Sequence, residues 1–360
     1  MRVLGRRAGT DGGPTARLGR YRAPDGSAGA PVTVDLDGPH AALVVGKRGY
    51  GKSHTLGVLA EDAARAGGVA PVVVDPMGAL AGLADGSADV PARVVDPRVR
   101  AGTLPPPAWP DLLGLDPTGS VGGLVWLAAR ERETLAGMRE RVTAADAAPD
   151  ARRAAVNHLR LAEGWGVFAA DGLSAAALCD GAATVLDCAG LDPAPANAVV
   201  RAVARVLYDA RVAGDARRLP WLLVDEAHAF FGGTAGSALR TLLTRGRAPG
   251  VSLVAATQRP GALPDAAASQ ADLLVAHRLT DGRDVESLAR ATPTYLEGTL
   301  RERLPTAPGD AVVVDDATET VHGVRVRERE TPHAGEDPRA SAVDGGARSQ
   351  DATPPEGASG

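Results

Sequence analysis

The chain has 360 residues, 44% of them hydrophobic and 23% charged, with a formal net charge of −5. That balance excludes a fibrous chain or one disordered throughout, and the length accommodates one large domain or two ordinary ones. A mildly acidic total also argues against a protein that is basic all over, as many nucleic-acid binders are, while leaving local basic patches open.

Residues 1–30 are rich in Gly, Arg and Pro without periodicity and read as a flexible leader. The arginines there are not followed by the apolar core of a secretory signal. Nowhere does an apolar run reach the ~18 residues of a membrane span, so no membrane partner and a cytoplasmic location are expected. The main folded domain is expected over 31–327. Its first clear element is AALVV at 41–45, a buried strand, followed by a Gly-rich turn and a helix over 53–66 with Leu56, Leu59 and Ala63 on one side. PVVVD at 71–75 and ARVVD at 92–96 predict two more strands. Residues 97–165 break this rhythm: a Pro-rich stretch at 104–117 leads into helix-like segments at 121–130, 131–142 and 151–162, read as a helical insertion. Apolar strands resume at 183–187, 221–225, 251–256 and 273–277, and 311–316 with 321–327 form a closing pair. Continuous apolar strands alternating with helices predict an α/β fold, a mainly parallel sheet covered on both faces, with ligands at the carboxyl ends of the strands. Residues 328–360 form a polar tail, largely disordered. Aromatic residues make up only 3% of the chain, so the core is built from Ala, Val and Leu, and base-stacking platforms are not expected. Cys179 and Cys188 lack metal or redox spacing and read as small apolar core residues in a reducing compartment.

The turn after the first of these strands, Gly46-Lys47-Arg48-Gly49-Tyr50-Gly51-Lys52-Ser53, fulfils GxxxxGK[ST] between a strand and a helix. Glycines let successive backbone N–H groups point at phosphate oxygens, and the helix beginning near Lys52 aims its positive end at the same anion. Lys52 can bridge β- and γ-phosphates and the Ser53 hydroxyl can bind Mg²⁺; His54 continues the nucleotide-binding set. A P-loop needs a carboxylate across the magnesium, and Leu222-Leu223-Val224-Asp225-Glu226 supplies it: Asp225 for Mg²⁺, Glu226 as the base that polarises water. The strand at 251–256 ends in Thr257-Gln258, and Gln258 is the candidate for orienting that water or sensing the γ-phosphate. Lys47 and Lys52 are the only lysines, so the Asn/Thr-Lys-x-Asp guanine motif is absent and ATP is the expected nucleotide. The signature Leu-Ser-Gly-Gly-Gln of transporter ATPases is absent as well.

With those motifs placed, the chain resembles the HerA/FtsK class of hexameric P-loop translocases, and specifically the HerA-like ATPases, over residues 32–338. The resemblance rests on VTVDLDGPHAALVVGKRGYGKS, VVVDPMG, WLLVDEAHAFF, TRGRAPGVSLVAATQRPGALPDAAASQADLLVAHRLTDGRDVESL and the tail RERETPHAGEDP. It implies a RecA-like P-loop NTPase core, a homo-hexamer, movement on double-stranded DNA and a nuclease partner. It also implies that Gln258 is the sensor and that Arg247, with Arg245 as runner-up, is the arginine acting on the γ-phosphate. Asp75 and Asp284 match acids of the family. HerA proteins usually carry a small β-barrel before the ATPase core, and the 45 residues ahead of Gly46 are too few for it.

Three functions fit these residues unequally. A DNA translocase must neutralise phosphates with basic groups, for which Arg98, Arg100, Arg152, Arg153, Arg160 and Arg283 are candidates. A non-motor ATPase controlling assembly or regulation suits the negative net charge. A small-molecule kinase fits least, because a carboxylate beside Asp225 activates water rather than excluding it.

Overall fold

The computed structural model describes residues 2–6, 9–10, 12–23, 25–289, 295 and 299–333. In chain order it opens with β1 (Arg2–Leu4), β2 (Thr15–Arg22), β3 (Ala28–Asp35) and β4 (Ala41–Val45), then α1 (Lys52–Arg65), β5 (Val69–Asp75) and β6 (Ala92–Val95). Helices α2 (Ala108–Leu112), α3 (Ser120–Glu131), α4 (Leu135–Thr143), α5 (Pro149–Gly164) and α6 (Ala175–Leu178) precede β7 (Ala183–Asp187). There follow α7 (Pro193–Ala213), β8 (Leu219–Val224), α8 (His228–Phe231), α9 (Gly236–Arg245) and β9 (Ser252–Thr257). The chain ends with α10 (Asp265–Gln270), β10 (Leu273–Ala276), α11 (Gly282–Ala289), α12 (Leu300–Arg303), β11 (Asp310–Asp315) and β12 (Thr320–Val326).

All these strands join one 12-stranded sheet in the order β1-β3-β2-β12-β11-β10-β4-β9-β8-β5-β7-β6. From β10 to β6 every pairing is parallel. From β10 out to β3 the pairings are antiparallel, and β1 then pairs parallel with β3. The parallel half has the predicted character: β4, β5 and β9 are buried at every position. Side chains alternate between faces along a strand, which splits the interior into two cores. Leu43, Val45, Val74, Leu222 and Leu253 face a core shared with α7, α9 and α3–α5. Val44, Val73, Leu223, Val254 and Val275 face a second one, shared with α1 and the N-terminal strands. The helices between β6 and β7 are continuous with the first core through Trp109, Val125, Met138 and Leu159, and an isolated bridge from Val99 to Phe168 brings their two ends together.

The expectation of a flexible leader over 1–30 is corrected. Strand β2 runs between β3 and β12, and Leu4, Ala16 and Leu18 are buried in the second core. The leader lacks long apolar runs because its strands alternate: in β2, Ala16 and Leu18 point inward while arginines point out. The first residues of the expected tail are also ordered, 328–333 lying against α1. The rest of the tail lies outside the described residues. Burial pushes the thiols of Cys179 and Cys188 up to about 11 and about 12, and both are free thiols.

Candidate nucleotide site

Register brings the key residues to one height. Val45 pairs with Thr257 and with Ala276, and Val224 pairs with Ala255. The residues just past these ends are therefore neighbours: the loop 46–53 after β4, Asp225 after β8, Gln258 after β9 and His277 after β10. Strand β9 lies between the loop strand and the carboxylate strand. In the strand order this puts Gln258 between the loop and Glu226.

The sequence places Lys52 at the first position of α1, and it is buried. Its Nζ donates to the Lys47 carbonyl at 3.3 Å. Burial pushes its pKa down, opposed by the charges of Glu226 and Asp225. Ser53 Oγ donates to Asp225 Oδ2 at 2.6 Å, so a hydroxyl and a carboxylate oxygen meet as a pair of hard donors. That donor set fits a magnesium ion. Among the described residues no cluster of three or more His, Cys, Asp or Glu forms a metal cage of its own. Magnesium bound by few protein groups alongside nucleotide phosphates needs no such cage.

Glu226 has φ +46, a left-handed conformation that a non-glycine residue adopts at a cost of about 1 kcal/mol or more. Its backbone N–H donates to Asp225 Oδ1 at 2.9 Å, which closes this tight turn at the strand end. Oε2 of Glu226 is buried without a hydrogen-bond partner, 3.3 Å from His228 Nδ1. Burial first, and then Asp225, push the Glu226 pKa up; Lys52, the Gln258 backbone N–H and Arg48 pull the other way. A carboxylate whose pKa is raised, with one oxygen free of hydrogen bonds, is suited to accept a proton. Burial pushes the His228 pKa down, and its Nδ1 lies 3.1 Å from the Thr257 hydroxyl.

Two histidines escaped the sequence reading. His228 lies two residues past Glu226, within the quoted WLLVDEAHAFF. His277 is a polar residue ending an apolar strand parallel to β4, the one signal that could have found it. It is fully buried beneath the loop: Nδ1–H donates to the Asp310 carbonyl at 2.9 Å, and Nε2 accepts from the Thr55 hydroxyl at 2.9 Å. Burial pushes its pKa down to about 4, which keeps it neutral, and the Asp310 carbonyl, which can only accept, fixes the proton on Nδ1. A Cβ at Gly46 would stand 2.6 Å from His277 Cβ, and one at Gly51, where φ is +113, would stand 3.1 Å from its ring. Gly46 and Gly51 are thus needed for the packing of the loop on His277.

Arg247 is not at this site. It pairs with Asp272 at 3.5 Å, and Asp272 also accepts the Ala41 N–H. Both Ala41 and Leu273 begin their strands, so Arg247 lies at the amino edge of the sheet, opposite the loop. It cannot reach a γ-phosphate bound to its own chain. Asp75 accepts the N–H groups of Met77, Ala79 and Leu80, and Asp284 accepts that of Gly261, both loop-fixing contacts.

The chain is similar in structure to VirB4 of Thermoanaerobacter pseudethanolicus, with 16% identity and a TM-score of 0.60 over 89% of this chain and 98% of that one. It is also similar to the bacterial conjugative coupling protein TrwB, with 16% identity and a TM-score of 0.57 over 91% of this chain and 97% of that one. The fold is that of a RecA-like P-loop ATPase. A second TrwB structure, in complex with ADP and Mg²⁺, gives 17% identity and a TM-score of 0.58 over 91% and 98% of the two chains. At these identities the likeness is one of fold. The sequence matches no protein-family model and no curated protein. Within the RecA-like fold, loop 46–53 and Asp225–Glu226 occupy the carboxyl edge where such sheets bind ligands.

Proposed function

We propose that the chain is a Mg²⁺-dependent ATP hydrolase, a HerA-like member of the HerA/FtsK class, that moves on double-stranded DNA as a homo-hexamer. The observation that carries the ATPase reading is the convergence of Lys52, the Ser53–Asp225 pair and the Glu226 carboxylate, whose Oε2 has no hydrogen-bond partner, at one strand edge. In that reading the 46–53 backbone and Lys52 hold the phosphates. Ser53 and Asp225 would hold Mg²⁺, which would supply charge neutralisation at the phosphate oxygens. Glu226 takes a proton from water as the water oxygen bonds to the γ-phosphorus. The bond from that phosphorus to the β–γ bridging oxygen breaks, ADP leaves with the electron pair, and phosphate is the second product. Gln258 orients the water. The absence of lysines outside the loop supports ATP over GTP.

The hexamer and DNA rest on the sequence resemblance and on the description of TrwB as a plasmid coupling protein. The position of Arg247 supports a ring: at the far edge of its own sheet, it acts on phosphate only by facing a neighbour's site. A nuclease partner follows from the same resemblance, and a cytoplasmic location from the lack of a secretory signal or membrane span in the sequence. Among the described residues no helix is long and apolar enough to cross a membrane.

A second reading, a non-motor ATPase, is favoured by one observation. Of the arginines expected to face DNA, Arg98 and Arg153 lie by Asp96 and Asp150, and Arg152 donates to the Ala145 carbonyl. Steady-state ATP turnover with and without linear double-stranded DNA separates the two, with Glu226→Gln as the blank. The translocase shows stimulation that fades with salt; turnover indifferent to DNA moves the assignment to the non-motor ATPase.

A further inference from the structure

The sheet order sets the direction in which a nucleotide lies. The phosphate loop follows β4, and Asp225 and Glu226 follow β8, across β9 on one side. A γ-phosphate placed before Glu226 sends the remainder of the nucleotide the other way, over the tips of β10 and β11. On that side the backbone forms a continuous rim. The Tyr50 carbonyl accepts the Gly309 N–H at 3.3 Å, and the Gly309 carbonyl accepts the Val326 N–H at 2.9 Å. The next residue, Arg327, accepts the His54 Nε2–H at its carbonyl, at 2.7 Å. Aromatic groups stand at both ends of this rim. The Tyr50 ring has Lys47 Nζ at 4.6 Å and the Arg278 guanidinium at 5.6 Å from its centroid. The His54 and His333 rings meet edge to face at 6.3 Å.

His333 is brought there by a built device. Residues 327–333 cross α1 as a strap, gripped by the fully buried carboxylate of Glu61. Its Oε1 accepts the N–H groups of Glu330 and Thr331, each at 2.9 Å, and the Thr331 hydroxyl at 2.7 Å. Its Oε2 accepts Arg327 at 2.7 Å. A carboxylate buried this deeply is tolerated only when so satisfied. Arg329 fills the space that a Cβ on Gly57 would need and donates to the Ala79 carbonyl at 3.3 Å.

We propose that this rim is the nucleoside subsite. The heterocyclic base of the bound nucleotide lies against the Tyr50–Arg278 pair and the His54–His333 pair, and Glu61 is the positioning residue that keeps the strap in place. Guanidinium and aromatic faces hold a flat heterocycle through its π surface. The inference rests on the phosphate-loop reading above.

The test compares binding of ADP and of inorganic tripolyphosphate to the full chain by titration calorimetry. Tripolyphosphate offers the phosphate chain without a nucleoside. His333→Ala is expected to weaken ADP about fivefold or more while leaving tripolyphosphate unchanged. Glu61→Gln, if it folds, should do the same by loosening the strap; His333→Ala carries the test if it does not. Unchanged ADP affinity in His333→Ala overturns the subsite. Equal losses for both ligands also overturn it, because the rim then only supports the loop. Lys52→Ala tests the underlying reading separately: tripolyphosphate binding as tight as in the unaltered chain would sink the phosphate loop itself.

Discussion

Two neighbouring carboxylates with different surroundings divide the chemistry at the residue scale. Asp225 is tied to Ser53 and to the Glu226 N–H, whereas Glu226 keeps one oxygen buried and unpartnered. Glu226→Gln should therefore retain nucleotide affinity and lose turnover by about 10²-fold or more. Equilibrium binding together with a phosphate-release assay checks this, and normal turnover removes Glu226 as the base. Lys52→Ala should lose binding and turnover together, since Lys52 is the one lysine aimed into the loop. A variant that binds ADP normally would contradict that role.

At the scale of elements, the N-terminal strands were the least legible part of the chain. A three-residue strand and one of alternating Arg and apolar residues carry no long apolar run, and their partner β12 is some 300 residues away in sequence. Their structural weight is a direct prediction. Deleting residues 1–22 exposes the edge of β12 and uncovers Val32, Val34 and Val324 in the second core. Each large apolar side chain lost or uncovered is worth about 1.5–3 kcal/mol. The truncated chain should melt well below the full chain or fail to stay soluble, as read by thermal unfolding. An unchanged melting temperature would restore the leader reading.

Across the whole molecule, a buried ionic chain joins the N-terminal strands to the amino edge of the parallel sheet. His40 contacts Asp272 at 3.0 Å and Asp35 at 3.8 Å; Arg6 pairs with Asp35, and Arg247 with Asp272. Although burial opposes its charge, the two carboxylates raise the His40 pKa to about 9, against 6.5 ordinarily. A folded-state pKa above the unfolded one means the contribution is complete below about pH 6.5 and is lost as pH rises through about 9. Melting temperature should fall over that window, and less so in His40→Gln. Equal slopes in the two proteins would rule the imidazolium out as the cause. His277 acts in the opposite sense: its lowered pKa of about 4 contributes fully above pH 6.5 and is lost as pH falls toward 4.

The α/β class, the phosphate loop, the carboxylate strand and the position of Gln258 were legible in the order of residues. Each depends on a local pattern: an apolar run, a glycine spacing, an acid at a strand end. β4 and β7 lie where the apolar runs placed them, at Ala41–Val45 and Ala183–Asp187. Tertiary structure alone decided the rest. It set His277 under the loop, brought Thr331 to Glu61 across 270 positions, and put Arg247 on the edge away from the phosphates its own chain would bind. These outcomes depend on which strands neighbour one another in the sheet, and a strand order is a long-range pairing that no window of local sequence contains.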